Sequence, residues 1–230
     1  MISYAEFCSN CERLEERVRR AAESCGRNFE DVKILPVTKT HPAAAAEYAL
    51  RRGFAAVGEN RVQEAAEKIP MLEGRLAWEL IGHLQSNKAA AAVRLFDRIE
   101  SVDSEKLLKK LDAAAAKESK TLRILLEINA GDDPAKFGAS VSEAPALMEA
   151  ALACPNLRVE GLMTVAPLDS DLDSASSCFA RLHNARDDIE ARFGIALPEL
   201  SMGMSFDLER AVREGSTLIR VGTFLFGQRQ

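Results

Sequence analysis

The sequence carries no surplus of basic residues: 30 lysines and arginines stand against 35 aspartates and glutamates, for a formal charge of −5. Nucleic-acid binding draws much of its affinity from cationic contacts to phosphates, so this balance argues against a nucleic-acid partner. Long apolar runs are lacking too. No stretch approaches the ~20 uninterrupted apolar residues that span a bilayer, and the charged opening, MISYAEFCSNCERLEERVRR, has no apolar centre like that of a signal peptide. The expectation is a cytoplasmic protein with no membrane partner. Five cysteines, an odd number at scattered positions, do not make a disulfide framework. Cys8 and Cys11 form a CxxC, but no strand precedes it and no second Cys/His pair completes a site. It reads as chance spacing, and no metal is expected.

What is present is a sequence 47% hydrophobic and 28% charged, with enough apolar side chains for a sizeable core. Its 230 residues lie close to the roughly 250 of an undecorated (β/α)8 barrel, so one domain over 1–230 is expected. The chain opens with an amphipathic helix, Ser3 to Cys25, whose Leu14 and Val18 recur at helical spacing and whose Gly26 is a stop; it is expected to cover one end of the fold. Short apolar runs then alternate with helical stretches to the C-terminus. The strands expected are Val32–Val37, Phe54–Gly58, Trp78–Gly82, Arg98–Val102, Thr121–Ile128, Val159–Val165, Glu199–Gly203 and Leu218–Thr223. Between them lie segments such as Phe179, Leu182, Arg186, Ile189 and Phe193, with apolar members every three to four residues. Apolar strands separated by helices imply parallel pairing, and eight such units close into a single (β/α)8 TIM barrel with an additional N-terminal helix. A doubly wound open sheet is the alternative.

Such a barrel puts its chemistry at the C-terminal ends of its strands. After the first strand comes Thr38-Lys39-Thr40-His41-Pro42. Partial burial of Lys39 there would disfavour its ammonium, and the neutral amine forms Schiff bases with aldehydes; a solvated surface lysine is the plain alternative. After the second comes Gly58-Glu59-Asn60-Arg61, where Asn60 offers a donor and an acceptor or simply caps a helix. The third ends in Gly82-His83, with an imidazole at the same rim. Ser201-Met202-Gly203-Met204-Ser205 leads into a helix, Asp207–Glu214, so Ser205 and nearby backbone N–H groups can meet an anion. Arg220-Val221-Gly222-Thr223 adds donors beside it, and a phosphate site from the last two loops recurs in this fold. Arg220 and Gly222 share strand parity and should both face inward. An inward arginine needs an acceptor, and the pyridine nitrogen of pyridoxal 5′-phosphate would serve, with the phosphate at Ser205 and Thr223 and the aldehyde at Lys39.

Taken in order, VTKTHP, GENRVQE, IGHLQSNK, SVDS, GLMTVAP, LSMGMSFDLERAVREGST and RVGTFLFGQR closely resemble the pyridoxal phosphate homeostasis proteins (the YggS/PROSC group), over nearly the whole chain. The resemblance implies a barrel like the N-terminal domain of alanine racemase, with Lys39 as the lysine that bonds the cofactor. It further implies that Ser205, Gly222, Thr223 and the backbone near Met204 hold the phosphate, that Arg220 faces the ring nitrogen, and that Asn60, His83 and Met163 line the pocket. A second lysine proposed in some members falls here on Lys136, in Asp133-Pro134-Ala135-Lys136-Phe137-Gly138. The sequence departs from the group in its CSNC and in Glu100, where many relatives carry histidine; both are expected to lie apart from the pocket core.

Three functions compete: a cofactor carrier and homeostasis regulator, an amino-acid racemase, and a Schiff-base aldolase without cofactor. A racemase of this type needs a second acid/base, a tyrosine from a further domain in the related enzyme, whereas this chain ends at Gln230 and its only tyrosines, Tyr4 and Tyr48, fall in helices away from the mouth. An aldolase would not require Ser205, Arg220, Gly222 and Thr223 together. The expectation is therefore a monomeric pyridoxal phosphate carrier without fast turnover, with no catalytic residues assigned and with cofactor-dependent apoenzymes as recipients.

Overall fold

The computed structural model describes residues 1–72, 76–167 and 172–227. The hydroxyl of Ser3 accepts a hydrogen bond from the Glu6 amide, so Ser3 is the cap and α1 runs Tyr4–Glu23. Gly26, with φ of +73°, ends the turn that follows. The buried face of α1, with Phe7, Leu14 and Val18, packs with Ile219, Val221, Leu225 and Phe226. The helix thus covers a flank of the fold rather than one end, because its apolar partners are the outer residues of the last strand.

The strands are β1 (Lys33–Pro36), β2 (Ala56–Glu59), β3 (Ala77–Leu80), β4 (Arg98–Val102), β5 (Leu122–Glu127), β6 (Leu157–Met163), β7 (Glu199–Ser201) and β8 (Leu218–Val221). Alternating with them are α2 (Ala43–Arg52), α3 (Val62–Lys68), α4 (Ala89–Leu95), α5 (Glu105–Lys117), α6 (Ala144–Leu152), α7 (Leu172–Phe193), α8 (Leu208–Arg213) and α9 (Thr223–Phe226). All ladders are parallel in the order β1-β8-β7-β6-β5-β4-β3-β2. A bridge between Val37 and Gly58, with the Thr38 amide donating to the Gly58 carbonyl at 3.0 Å, joins β1 to β2 and closes the barrel. The open-sheet alternative is thereby excluded. Thr223, expected to close the last strand, instead opens α9.

Side-chain parity divides the barrel into two layers. Ile99, Ile124, Leu126, Leu162 and Leu200 face outward into one apolar cluster with the helices. The inner layer is charged at its base. Arg98 donates to Glu79 at 2.6 Å and lies 3.4 Å from both Glu160 and Glu199, and Lys33 pairs with Glu199. Buried charges persist only when paired, so Arg98 and the carboxyls around it stand or fall together, with the exposed Lys33 reaching in from the rim of the base. A register shift after Ile124 leaves Glu160 outside the β5–β6 pairing. Gly161 follows it, and a Cβ there would lie 1.8 Å from the Glu199 carbonyl oxygen, so only glycine fits.

Candidate functional site

Lys39 follows β1 on a backbone fastened from below. Thr38 is fully buried, its hydroxyl donates to Glu59 at 2.6 Å, and its carbonyl accepts from Lys68 Nζ at 2.9 Å. Lys68 also donates to Glu59 at 2.7 Å. Burial pushes the Glu59 carboxyl above its ordinary value, although Lys68 and Thr38 act against it. Beyond Lys39 the chain turns sharply at Thr40, whose φ is +62° and whose amide donates to Glu64 at 2.8 Å. A β-branched residue in that region is strained, and such strain persists only where the surroundings impose it. Lys39 is consequently held half-buried at the rim.

A cavity of about 180 Å³ opens at this rim. Lys39, Met204, Ser205, Arg220, Gly222 and Thr223 all line it, with Val37 and Ile81 as apolar wall and the exposed Phe206 at its edge. Arg220 is buried beneath: Nη1 donates to Ser201 Oγ at 2.6 Å and Nη2 to the Thr164 carbonyl at 2.8 Å. Ser201 donates in turn to Glu100, whose carboxylate lies 3.9 Å from the guanidinium. Glu100, expected to lie apart from the pocket core, therefore braces it from behind, because its strand parity points it inward toward β7 and β8. Burial pulls the Arg220 guanidinium below its ordinary value, opposed by Glu100, Glu127 and Asp207. It remains a cation that can only donate.

On the β7–β8 side, Gly203 has φ of +96°, and its carbonyl accepts from the Arg220 amide at 3.0 Å. The Met204 N–H is engaged by Asp207, so Met204 contributes wall rather than an open donor. The hydroxyls of Ser205 and Thr223 flank the same cavity, and Thr223 lies in the first turn of α9, where N–H groups lack intrahelical acceptors. Gln228 and Arg229, from the last motif quoted above, lie outside the described residues.

The remaining expected residues are placed differently. Asn60 directly follows β2, its Oδ1 buried and without a hydrogen-bond partner among the described residues. Met163 is fully buried at the end of β6, opposite Glu127 in register. His83 is not on the cavity wall: its Nδ1 lies 3.3 Å from Asp103, and the Phe137 ring stacks on it at 3.7 Å. That stack brings the loop after β5, with Lys136, over the β3 end of the mouth. The reading by strand ends missed Glu127, Ser201 and Glu100; inward parity with Arg220 across the barrel was the available signal.

Chemically, the arrangement sets an amine at the β1 rim, hydroxyl donors at the β7 and β8 rims, a buried arginine below and apolar walls between. Those are the complements of a flat ring bearing an aldehyde, an anionic arm and a basic nitrogen. The orphaned polar atoms of Asn60 and Glu127 leave acceptor and donor capacity on the facing side.

Comparison with known proteins agrees with this geometry. Residues 9–230 match the family model of the alanine racemase N-terminal domain. A pyridoxal phosphate homeostasis protein of Aquifex aeolicus is 36% identical over 224 residues, spanning 97% of this chain and 98% of the relative. The structure of PipY from Synechococcus elongatus with PLP bound superposes with a TM-score of 0.81 at 36% identity, covering 92% of this chain and 100% of that one. Alanine racemase of Clostridium difficile, 15% identical with a TM-score of 0.77, shares the fold across 98% of this chain and 57% of its own.

Proposed function

The chain belongs to the alanine racemase N-terminal-domain family, and from that premise we propose that it binds pyridoxal 5′-phosphate reversibly at Lys39 as a cytoplasmic cofactor-homeostasis protein. The observation that carries the reading is the convergence of Lys39, Arg220, Ser205 and Thr223 on one cavity. When bound, the cofactor supplies an aldehyde that condenses with the Lys39 amine. Ser205 and Thr223 donate to its phosphate, with Gly222 leaving room beside them. Arg220 donates to the ring nitrogen and keeps a proton off it, which weakens the ring as an electron sink. Asn60 and Met163 would bound the ring on the side away from Ser205 and Thr223, while His83, off the cavity wall, would act only through the loop that carries Phe137 and Lys136.

We further propose a monomeric carrier, one barrel domain over 1–230, without fast turnover, that limits reactive aldehyde and passes cofactor to apoenzymes. A racemase would need a second acid/base beside the cavity, and neither tyrosine is there. Tyr4 and Tyr48 pack against each other, 5.2 Å between ring centroids, in the apolar cluster around α1. The test is an absorbance spectrum of the purified protein, then borohydride reduction and mass spectrometry. A visible band and a reduced adduct on Lys39 are expected. A Lys39→Ala variant that keeps the band refutes the anchor, and robust amino-acid racemisation overturns the carrier reading.

A further inference from the structure

The facing side of the mouth holds a carboxyl that the binding scheme above does not use. Glu127 ends β5, shares inward parity with the buried Leu125, and is 7% exposed. Its Oε2 is buried and has no hydrogen-bond partner among the described residues. The groups that act on it come from three elements: Glu100 on β4, Asp103 in the loop after β4, and Arg220 on β8. On β6 its register neighbour is the apolar Met163. An ionised carboxylate so enclosed is costly unless donors meet it, whereas a neutral carboxyl has a proton to give.

The barrel order sets β5 across from β1 and β4 across from β8. In pyridoxal phosphate the phenol oxygen and the phosphate arm flank the aldehyde carbon on opposite sides. With the aldehyde at Lys39 and the arm at the β7 and β8 loops, the phenol edge turns away from β7 and β8, toward the opposite half of the mouth, where Glu127 ends β5. We propose that Glu127 is a further cofactor-binding residue, a neutral carboxyl that donates a hydrogen bond to the phenol oxygen of bound pyridoxal phosphate. This rests on the function proposed above. Burial, then repulsion from Asp103, pushes the carboxyl up to about 7, against attraction from Arg220. A negative phenolate beside it favours the protonated form further. The cofactor is accordingly held by a group that loses its proton, and its grip, as pH rises past neutrality.

The experiment measures the dissociation constant of pyridoxal phosphate by equilibrium dialysis from pH 6 to pH 8.5 for wild type, Glu127→Gln and Glu127→Ala. Glutamine keeps the shape and a donor but cannot titrate. At pH 6, Glu127→Gln should bind within about threefold of wild type, and Glu127→Ala about tenfold more weakly, as for one lost hydrogen bond to a charged acceptor. By pH 8.5 wild type should have weakened about tenfold more than Glu127→Gln. In the unloaded wild type, the Glu127 carboxyl carbon, assigned by its loss in Glu127→Gln, should titrate by NMR near neutrality and shift upward on loading. Parallel pH curves for wild type and Glu127→Gln, wild-type affinity in Glu127→Ala, or titration near an ordinary carboxylate value would each overturn the proposal. Borohydride adducts separate the two readings: a Lys39 adduct in all three proteins with identical affinities sinks only the role of Glu127, while no adduct in wild type sinks both.

Discussion

Arg220 Nη1 donates to Ser201 Oγ at 2.6 Å while the same oxygen donates its own proton to Glu100, so one hydroxyl joins a buried cation to a buried carboxylate. Both charged partners are buried: Arg220 is 4% exposed and Glu100 not at all. Ser201→Ala removes the donor of one and the acceptor of the other, leaving the charges 3.9 Å apart. The expected cost is about 1–3 kcal/mol, the range for orphaned buried polar groups, read as a lower urea midpoint at unchanged slope. Cofactor affinity should fall as well, because Arg220 loses its support. A midpoint equal to wild type would show that Glu100 takes over the bond directly.

The Lys68–Glu59 pair beneath Lys39 allows a sharper result. Lys68→Met leaves Glu59, fully buried, with the Thr38 hydroxyl at 2.6 Å and without the cation that now offsets its burial. Removing one member of a buried pair typically costs about 3–5 kcal/mol, whereas replacing both by apolar residues is often near neutral. The single variant should therefore melt well below wild type in calorimetry, and Lys68→Met combined with Glu59→Leu should recover most of the loss. Equal destabilisation by both would mean that Glu59 serves Thr38 more than Lys68.

These two networks mark where sequence reading stops. The strands were legible because their outer residues, such as Ile99, Ile124 and Leu162, supply apolar runs of strand length between helical periods. Lys39, Ser205 and Arg220 were legible as a group because a closed barrel brings strand ends together whatever their separation along the chain. Partners across the barrel were not legible: Ser201 and Glu100 lie 101 residues apart, and Arg98 and Glu160 lie 62 apart. Nothing local tells a glutamate in a strand that an arginine will face it. His83 shows the complementary gap, since its distance from the cavity wall depends on where the loop with Phe137 settles.

The surplus of carboxyls inside the barrel predicts the pH dependence of stability. Glu79, Glu100, Glu160 and Glu199 surround Arg98, with Lys33 as the second cation. Burial, then repulsion from Glu100, pushes the Glu79 carboxyl up to about 8, and the proton it holds belongs to the cluster. Glu127 is raised to about 7. A carboxyl raised on folding keeps a proton that the unfolded chain has already released, so stability falls as pH rises from about 4.5 toward those values. Unfolding free energy should drop by several kcal/mol between pH 5 and pH 9. Urea titrations at both pH values test this, and Glu79→Gln should flatten the curve. Rising stability over that interval would contradict the assignment.

Phe137 is more than half exposed, at 56%, yet its ring lies nearly parallel to His83, 10° between planes. A large apolar side chain left so open is held by that one face, and His83 is itself fixed by Asp103 at 3.3 Å. The stack therefore ties the loop after β5 to the end of β3. Phe137→Ala should release about 0.5–1.5 kcal/mol of local stability, the worth of an aromatic pair beyond its area. Amide exchange at Asp133 and Lys136, whose N–H groups bond within the loop at 3.1 and 3.0 Å, should then speed up about threefold to tenfold. Strand amides such as Leu125 should keep their protection. His83→Ala should give the same local effect, and the double variant no more than either single one, since both remove one contact. Additive effects would mean that Phe137 and His83 hold the loop through separate neighbours.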